Sequence, residues 1–276
     1  IIMPEINSIT IEQVRKFHLG TILNGGGGFP NKNKNSNIDD WKNLSKEYYD
    51  ASTVVDGVKI PILWGTDAVH GHNNVIGATI FPHNIGLGAA KNQKLMKQIG
   101  AAVAKEVAST GIIWTFAPTI AVPQNDLWGR TYEGYSEDAS LVSELGKNFI
   151  IGLQGENDKF LDKYNVLATA KHFLGDGGTN NGVDQGDTII DELSLKNIHG
   201  KPYYDAIDVC AISVMASFNS WNGIKSHGNK YLLDDILKSQ MEFNGFIVGD
   251  WNGHGQLSEC EDANCPEAFN AGVDVY

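Results

Sequence analysis

Short apolar segments alternate along the chain with longer stretches in which apolar residues recur three and four positions apart. This alternation predicts repeated strand and helix units around a parallel sheet. The predicted strands are GTIL (20–23), PILWG (61–65), IIWTFAP (112–118), VLATA (166–170), AISVMAS (211–217), FIVGD (246–250) and VDVY (273–276). The clearest predicted helices cover residues 91–109, 139–154, 230–240 and 267–271. About seven or eight such units favour a closed (β/α)8 barrel of the TIM type.

An open, doubly wound sheet is the structural alternative to the barrel. A dinucleotide-binding fold of that kind carries a Gly-x-Gly-x-x-Gly turn after its first strand, and no such turn occurs here. The glycines at 25–28 instead precede Phe-Pro and an Asn/Lys-rich stretch, which predicts a mobile loop. The chain opens on the apolar segment IIMPEIN and stops at AGVDVY, inside a predicted strand. We therefore expect one barrel domain over residues 1–276 that is incomplete at both termini.

The composition and the net charge limit the classes of molecule that the chain is expected to bind. The 276 residues are 42% hydrophobic and 20% charged, which is typical of a folded globular domain. A formal net charge of −12 argues against nucleic acid or an anionic membrane as the partner, because phosphate binding needs clustered Lys and Arg. No apolar run approaches the roughly 20 residues that a membrane-spanning helix needs. A neutral ligand is the expectation that remains.

Polar side chains directly follow most of the predicted strands. The C-terminal strand ends of a (β/α) barrel form its active-site face, so these side chains should meet at one mouth. The segments are GTDAVHG (65–71), WGRTYEGYSED (128–138), KHFLGDGGT (171–179), SFNSWNG (217–223) and GFIVGDW (245–251). The candidate residues in them are Asp67, Arg130, Glu133, Lys171, His172, Asp250 and Trp251. Asp250 is the strongest candidate. A carboxylate at the end of a buried strand is costly to desolvate unless it is paired, so a function explains its presence better than chance does.

This mixture of charged groups with an aromatic ring suits a carbohydrate. Sugar hydroxyls need directional donors and acceptors, which ionised side chains supply strongly. The C–H faces of a pyranose pack against flat apolar surfaces such as that of Trp. We expect the two nearby cations, Arg130 and Lys171, to lower the pKa of Asp250 and keep it ionised.

The five segments resemble the N-terminal barrel domain of glycoside hydrolase family 3, and within it the β-glucosidase and broad-specificity exo-β-glucanase branch. The resemblance extends from about Gly20 to the last residue, and its motifs are long, ordered and widely spaced. It implies a retaining, exo-acting β-glucosidase that cleaves β-glucans or cello-oligosaccharides from their non-reducing ends. It implies no metal or organic cofactor, and His70 and His72 match family positions without a metal.

The resemblance also implies a role for each candidate residue. Asp250 matches the nucleophile that attacks the anomeric carbon, and Trp251 matches one half of an aromatic clamp on the next sugar. Glu133 matches a carboxylate that supports the Arg and the Lys. Phe218 stands where related glucosidases usually have Tyr, so one hydroxyl near the nucleophile is absent. The residues that match the innermost sugar subsite are Asp67, Arg130, Lys171 and His172.

Two departures from the family pattern bear on alternative functions. Family members generally take the acid/base Glu from a C-terminal α/β domain, and no segment of residues 1–276 corresponds to that domain. A non-catalytic glycan-binding protein derived from a glycosidase is therefore an alternative, as is a β-xylosidase. A β-N-acetylhexosaminidase is disfavoured, because its loop carries an Asp-His dyad and no His occurs here between Gly175 and Thr188.

The three cysteines give information about the cellular compartment of the protein. Cys260 and Cys265 lie five positions apart in a polar loop, where a disulfide and two reduced thiols are both sterically possible, and we expect the disulfide. Cys210, at the start of the apolar run CAISVMA, is expected to be free and buried. Relatives of this kind are commonly exported, so the expected location is secreted or periplasmic.

Overall fold

The computed structural model describes residues 2–53 and 60–276. Its strands are β1 (Thr21–Asn24), β2 (Leu63–Thr66), β3 (Trp114–Thr115), β4 (Leu167–Phe173), β5 (Asp187–Thr188), β6 (Ser213–Ala216), β7 (Ser220–Trp221), β8 (Ile224–Lys225) and β9 (Phe246–Val248). Its α-helices are α1 (Ile11–Phe17), α2 (Ile38–Thr53), α3 (Asn84–Ala90), α4 (Gln93–Ser109), α5 (Ala139–Gln154), α6 (Glu192–Ser194), α7 (Lys201–Asp208) and α8 (Pro266–Ala271). Two π-helical segments cover Leu195–Gly200 and Tyr231–Gln240. No helix in these ranges is long and apolar enough to cross a membrane.

Six strands form one curled parallel sheet in the order β1-β2-β3-β4-β6-β9. Helical segments join consecutive strands of this sheet, as the alternating pattern predicts. The predicted (β/α) barrel architecture is confirmed, with six predicted strands in their predicted order. The seventh predicted strand, 273–276, forms only an isolated bridge to β9.

The two terminal segments lie between β9 and β1. The Met3 amide donates a hydrogen bond to the Tyr276 carbonyl at 2.7 Å, which links the two segments to each other. Each segment contacts its neighbouring strand through an isolated parallel bridge rather than a continuous ladder. The bridges are Val248–Val275 and Glu5–Leu23. We call this join of residues 2–6 and 273–276 the seam, and regular strand pairing is incomplete there.

Helix boundaries follow local capping signals. The predicted helix at 91–109 begins only after Asn92, whose side chain accepts a hydrogen bond from the Leu95 amide at 3.0 Å. Lys91 has left-handed backbone angles and ends α3, so it separates α3 from α4. Helix α5 has the predicted bounds, and the predicted helix at 230–240 is one of the π-helical segments.

The small strands β5, β7 and β8 were not predicted. Strand β5 pairs in parallel with β7, and β7 pairs antiparallel with β8. Because β5 lies in the loop after β4, whereas β7 and β8 lie in the loop after β6, this sheet joins two of the loops that carry candidate residues.

Apolar side chains fill the inside of the barrel. One cluster draws members from several strands around the sheet and from both sides of the seam, which places it in the barrel interior. Its buried members are Met3, Leu23, Trp114, Phe116, Met215, Val248 and Val275. A larger cluster lies between the sheet and the helices. The barrel interior is therefore a packed core, as is usual for this architecture, rather than an open channel.

Cys260 and Cys265 form a disulfide. Cys210 is free but exposed, so the expectation that it is buried is wrong. Its φ angle of 61° places it in a turn between α7 and β6, and β6 begins only at Ser213. The apolar run begins to be buried one residue after the cysteine, at Ala211.

Candidate active site

The strand ends open into a cavity of about 540 Å³. The candidate residues that line it are Asp67, Arg130, Glu133, Lys171, His172, Asp250 and Trp251. Phe218 is not among the lining residues, and its ring centroid lies 6.2 Å from that of His227. The structure therefore brings all the strand-end candidates together and leaves Phe218 to one side.

Asp250 lies two residues after the end of β9, and its side chain is 15% exposed. Its Oδ1 accepts a hydrogen bond from the Trp251 amide at 2.8 Å. Its Oδ2 is buried and has no hydrogen-bond partner within residues 2–53 and 60–276. The Nε2 atom of His172 lies 3.7 Å from Oδ2. One carboxylate oxygen is thus held by the backbone while the other is unpaired.

The pKa of Asp250 is raised to about 6. Burial is the largest cause, and it outweighs the opposing effects of Lys171, the Trp251 amide and Arg130. The expectation that the two cations would lower this pKa is therefore wrong in its net sign. The cations act in the expected direction, but desolvation of the carboxylate is stronger.

Lys171 lies on β4 itself, and its side chain is only 6% exposed. Its Nζ donates a hydrogen bond to Asp67 Oδ1 at 2.9 Å. The Asp67 side chain is 43% exposed, so part of the carboxylate remains accessible to a ligand. An ammonium group has three N–H donors, so Lys171 retains donors for sugar hydroxyls.

Arg130 is held by a two-pronged ion pair with Glu133. Arg130 Nε donates to Glu133 Oε1 and Nη2 donates to Oε2, each at 2.9 Å. Arg130 Nη2 also lies 3.1 Å from His172 Nε2. An arginine can only donate, so we assign Nε2 as the acceptor and place the His172 proton on Nδ1. Glu133 supports Arg130, whereas Lys171 is held by Asp67.

Asp176 holds the other side of His172, and sequence analysis did not single it out. His172 Nδ1 donates to Asp176 Oδ2 at 2.8 Å, and the Gly177 amide donates to Oδ1 at 3.0 Å. Burial lowers the pKa of His172 well below its usual value, and the charges of Arg130 and Lys171 lower it further. Burial raises the pKa of Asp176 to about 7, against the opposing charge of Arg130. His172 is therefore a neutral ring with a fixed orientation.

Trp251 is 58% exposed at the cavity. A Cβ atom added to Gly25 would lie 3.2 Å from the Trp251 ring, so the glycine loop at 25–28 contacts this ring. The sequence predicts a mobile loop at that place. The contact leaves most of the indole surface available to a ligand such as a second sugar.

His227 is a second residue that sequence analysis did not single out. It is 1% exposed and lies in a short 3-10 turn, Ser226–Gly228, just after β8. Its Nε2 accepts a hydrogen bond from the backbone amide of Asp250 at 3.0 Å. His227 thus contacts the main chain of Asp250, while His172 faces its side chain.

Among the further rings that line the cavity, those of His70, His83 and Tyr132 lie next to one another. The centroids of His70 and His83 are 4.1 Å apart, and those of His83 and Tyr132 are 4.7 Å apart. His72, the second histidine of the HGH motif, is buried away from them against Thr110 Oγ1 at 3.2 Å. In the described part of the chain, no group of three or more His, Cys, Asp or Glu could hold a metal ion.

Comparison with known proteins decides the family. The family model described as "Glycosyl hydrolase family 3 N terminal domain" matches residues 1–276. The chain belongs to this family. The resemblance that the five strand-end motifs indicate is therefore confirmed.

The family 3 domain is similar to larger proteins. It is 54% identical to an exo-1,3/1,4-β-glucanase from a Pseudoalteromonas species, with a TM-score of 0.97 over 100% of this chain and 35% of that chain. It is 30% identical to a periplasmic β-glucosidase of Salmonella typhimurium over 83% of this chain and 30% of that protein. It is 33% identical to a β-xylosidase of Formosa agariphila over 78% of this chain and 32% of that protein. The domain thus spans about a third of the length of these relatives.

Proposed function

We propose that this family 3 domain carries the nucleophile and the innermost sugar subsite of a retaining, exo-acting β-glucosidase. The observation that carries the proposal is the buried carboxylate of Asp250, with its unpaired Oδ2, in the strand-end cavity. The proposed substrates are β-glucans or cello-oligosaccharides, cleaved from the non-reducing end. The 54% identity to a protein described as an exo-1,3/1,4-β-glucanase supports this substrate class.

The proposed reaction has two displacement steps at the anomeric carbon. In the first, Asp250 Oδ2 forms a bond to that carbon, the bond to the leaving oxygen breaks, and the leaving oxygen takes a proton from a general acid. In the second, water attacks the same carbon, its proton passes to the base that the acid became, and the bond to Asp250 breaks. Arg130, Lys171 and Asp67 hold the sugar hydroxyls during both steps.

The general acid is proposed to come from a C-terminal α/β domain of the same polypeptide. Two carboxylates of the cavity are already committed to ion pairs with the cations of the subsite. These pairs are Glu133 with Arg130 and Asp67 with Lys171. A carboxylate in such a pair serves the subsite better as an acceptor than as a proton donor.

A secreted or periplasmic location is part of the proposal. The Cys260–Cys265 disulfide supports it, because disulfides persist in oxidising compartments. The similarity to a protein described as a periplasmic β-glucosidase is a second support.

A β-xylosidase is the second candidate function, and the 33% identity to a protein described as a β-xylosidase favours it. The two substrates differ by the hydroxymethyl group on the sugar ring. Comparing kcat/KM of the full-length protein on 4-nitrophenyl β-glucoside and 4-nitrophenyl β-xyloside separates the candidates. A higher kcat/KM on the xyloside would show that the sugar cleaved is xylose rather than glucose.

The nucleophile is tested by labelling the full-length protein with 2,4-dinitrophenyl 2-deoxy-2-fluoro-β-glucoside. Its leaving group departs without an acid, and the fluorine slows hydrolysis of the glycosyl-enzyme, so the label stays on the attacking residue. We expect the mass of the labelled peptide to locate the sugar on Asp250. A label on Glu133, Asp67 or any other residue shows that the assignment is wrong. Binding of glucose without labelling or turnover points to the non-catalytic glycan-binding alternative.

A further inference from the structure

The backbone amide of Asp250 lies beyond the ladder of its own strand. Strand β9 ends at Val248, and the next amide, that of Gly249, donates to the Val275 carbonyl at 2.7 Å across the seam. The Asp250 amide has a side chain as its partner instead, because it donates to His227 Nε2 at 3.0 Å. The conformation of the nucleophile residue therefore depends on an imidazole from another loop.

The His227 ring also fills the inside of the loop that follows Asp250. The Gly253 amide donates to the Asp250 carbonyl at 2.9 Å and closes a turn. A Cβ atom on Gly253 would lie 2.1 Å from His227 Cε1, and one on Gly249 would lie 3.4 Å from Nε2. The loop from 249 to 253 is therefore wrapped closely around one buried ring.

The hydrogen bond from the Asp250 amide also determines the protonation state of His227. Since Nε2 accepts this bond, the ring proton lies on Nδ1. Burial lowers the pKa of His227 to about 3, and the charges of His254 and Lys225 act in the same direction. The ring therefore stays neutral, and Nε2 remains an acceptor, at any pH at which Asp250 is ionised.

We propose that His227 is a positioning residue for the nucleophile: it holds the Asp250 amide and the 249–253 loop so that Oδ2 points at the anomeric carbon. This inference rests on the proposed function. His227 makes no contact with the sugar in this role. It acts through the main chain, whereas Arg130 and Lys171 act through the substrate.

Two variants of the full-length protein test the acceptor itself. Glutamine places its amide at about the distance of Nε2 from the backbone, and asparagine places it at about the distance of Nδ1. His227→Gln therefore keeps an acceptor for the Asp250 amide, and His227→Asn does not. The readout is the labelling of Asp250 by 2,4-dinitrophenyl 2-deoxy-2-fluoro-β-glucoside, which needs no general acid.

We expect His227→Asn to lower the labelling rate at saturating reagent by about 10- to 100-fold, the loss expected when a reacting group is misplaced by about 1 Å. The half-saturating concentration and the Kd for glucose should stay within about threefold of wild type, because sugar contacts are untouched. His227→Gln should recover the labelling rate to within about threefold of wild type.

Equal labelling rates for the Asn and Gln variants would overturn the proposal, and so would a parallel loss of glucose binding. If both variants fail to fold, as judged by circular dichroism, His227 is a structural residue and the proposal is also wrong. Failure of the proposed function has a different result, because wild type itself would then not be labelled on Asp250.

Discussion

Burial and neighbouring charges act on the carboxyl group of Asp250 in opposite directions. Burial disfavours the ionised form, and Lys171 and Arg130 favour it, while the charge of Asp67 disfavours it. The resulting pKa of about 6 leaves the carboxylate ionised at neutral pH. A desolvated carboxylate with a raised pKa is also a better nucleophile than a solvated one at equal ionisation.

The substitution Asp67→Asn should lower the pKa of Asp250, because the negative charge of Asp67 raises it. We expect the acid limb of the labelling rate, near pH 6 in wild type, to move to lower pH. Asp67→Asn also removes a proposed sugar contact, so the labelling rate should fall at every pH. The pH at which the rate declines does not depend on that loss. Asp235→Asn, at an exposed position of the π-helical segment Tyr231–Gln240, is the control and should leave the limb in place. An upward shift in Asp67→Asn would contradict the assigned sign.

The substitution Asp250→Asn should stabilise the fold at neutral pH while abolishing turnover. A raised pKa means that this group contributes stability below its usual value of 3.8, and that this contribution is lost as the pH rises through about 6. Asparagine cannot ionise, so the variant does not lose this unfolding free energy, which is of order 2–3 kcal/mol. Calorimetry should therefore show a higher unfolding temperature than wild type at pH 7 and a similar one at pH 4. An advantage of equal size at both pH values would show that the charge is not its cause.

At the residue scale, the sequence predicted the charged groups that line the cavity but not the residues that hold them. Asp250 and Lys171 belong to motifs at predicted strand ends, so topology alone brings them together. Asp176 had one weak signal, a carboxylate four positions after His172. His227 had none, because its partner is a backbone amide 23 positions away.

At the element scale, helix α3 supports the loop that carries Arg130 and Glu133. The Asn84 side chain donates to the Glu133 carbonyl at 2.7 Å. A Cβ atom on Gly88 would lie 1.7 Å from the Tyr135 carbonyl oxygen, so only glycine permits this approach. The helix and the loop are thus in contact through main-chain atoms.

The substitution Gly88→Ala should push α3 and this loop apart. We expect it to cost about 1–3 kcal/mol of unfolding free energy, the usual cost of overpacking, and to lower kcat/KM because Arg130 moves. Gly86 lies on the same helix, and its added Cβ would meet only Pro82 at 3.5 Å. Gly86→Ala is therefore the matched control, with a gain of up to about 1 kcal/mol from helix propensity. Urea titrations should give a lower free energy of unfolding for Gly88→Ala than for Gly86→Ala. Equal values would show that the contact between Gly88 and the Tyr135 carbonyl is not tight.

The elements themselves were predicted best where the pattern was long. Helix α5 has its predicted bounds, whereas the predicted strand at 112–118 pairs regularly only at Trp114–Thr115. Pro118 has no amide hydrogen and cannot continue a ladder, which limits this strand. Strands β5, β7 and β8 have two residues each, too few to show any periodicity.

At the scale of the whole molecule, the seam is the most sparsely paired part of the described barrel wall. It rests on isolated bridges and on the bond from Met3 to Tyr276, whereas β1 and β2 form a ladder of four residue pairs. Amides in sparse pairings open more easily than amides in ladders.

Hydrogen exchange should therefore be faster at the seam than in the rest of the barrel. We expect peptides covering residues 2–6 and 273–276 to exchange before those covering β1, β4 and β6, as followed by mass spectrometry. Equal protection at the seam and in β4 would show that the bridges are as stable as the ladders.

In the same experiment, binding of glucose should slow exchange at residues 249–253 more than in α5, which lies outside the cavity.

The bond between Met3 and Tyr276 also has a consequence for synthesis on the ribosome. Nearly the whole chain separates the two residues, so the ring cannot close until Tyr276 has left the exit tunnel. At typical elongation rates, this takes on the order of tens of seconds. Until then Trp114 and Phe116, which belong to the interior cluster, lack the contacts of its last member, Val275, and the sheet edge beside β9 has no partner. The nascent domain should therefore depend on a chaperone to shield these side chains until the last strand segment arrives.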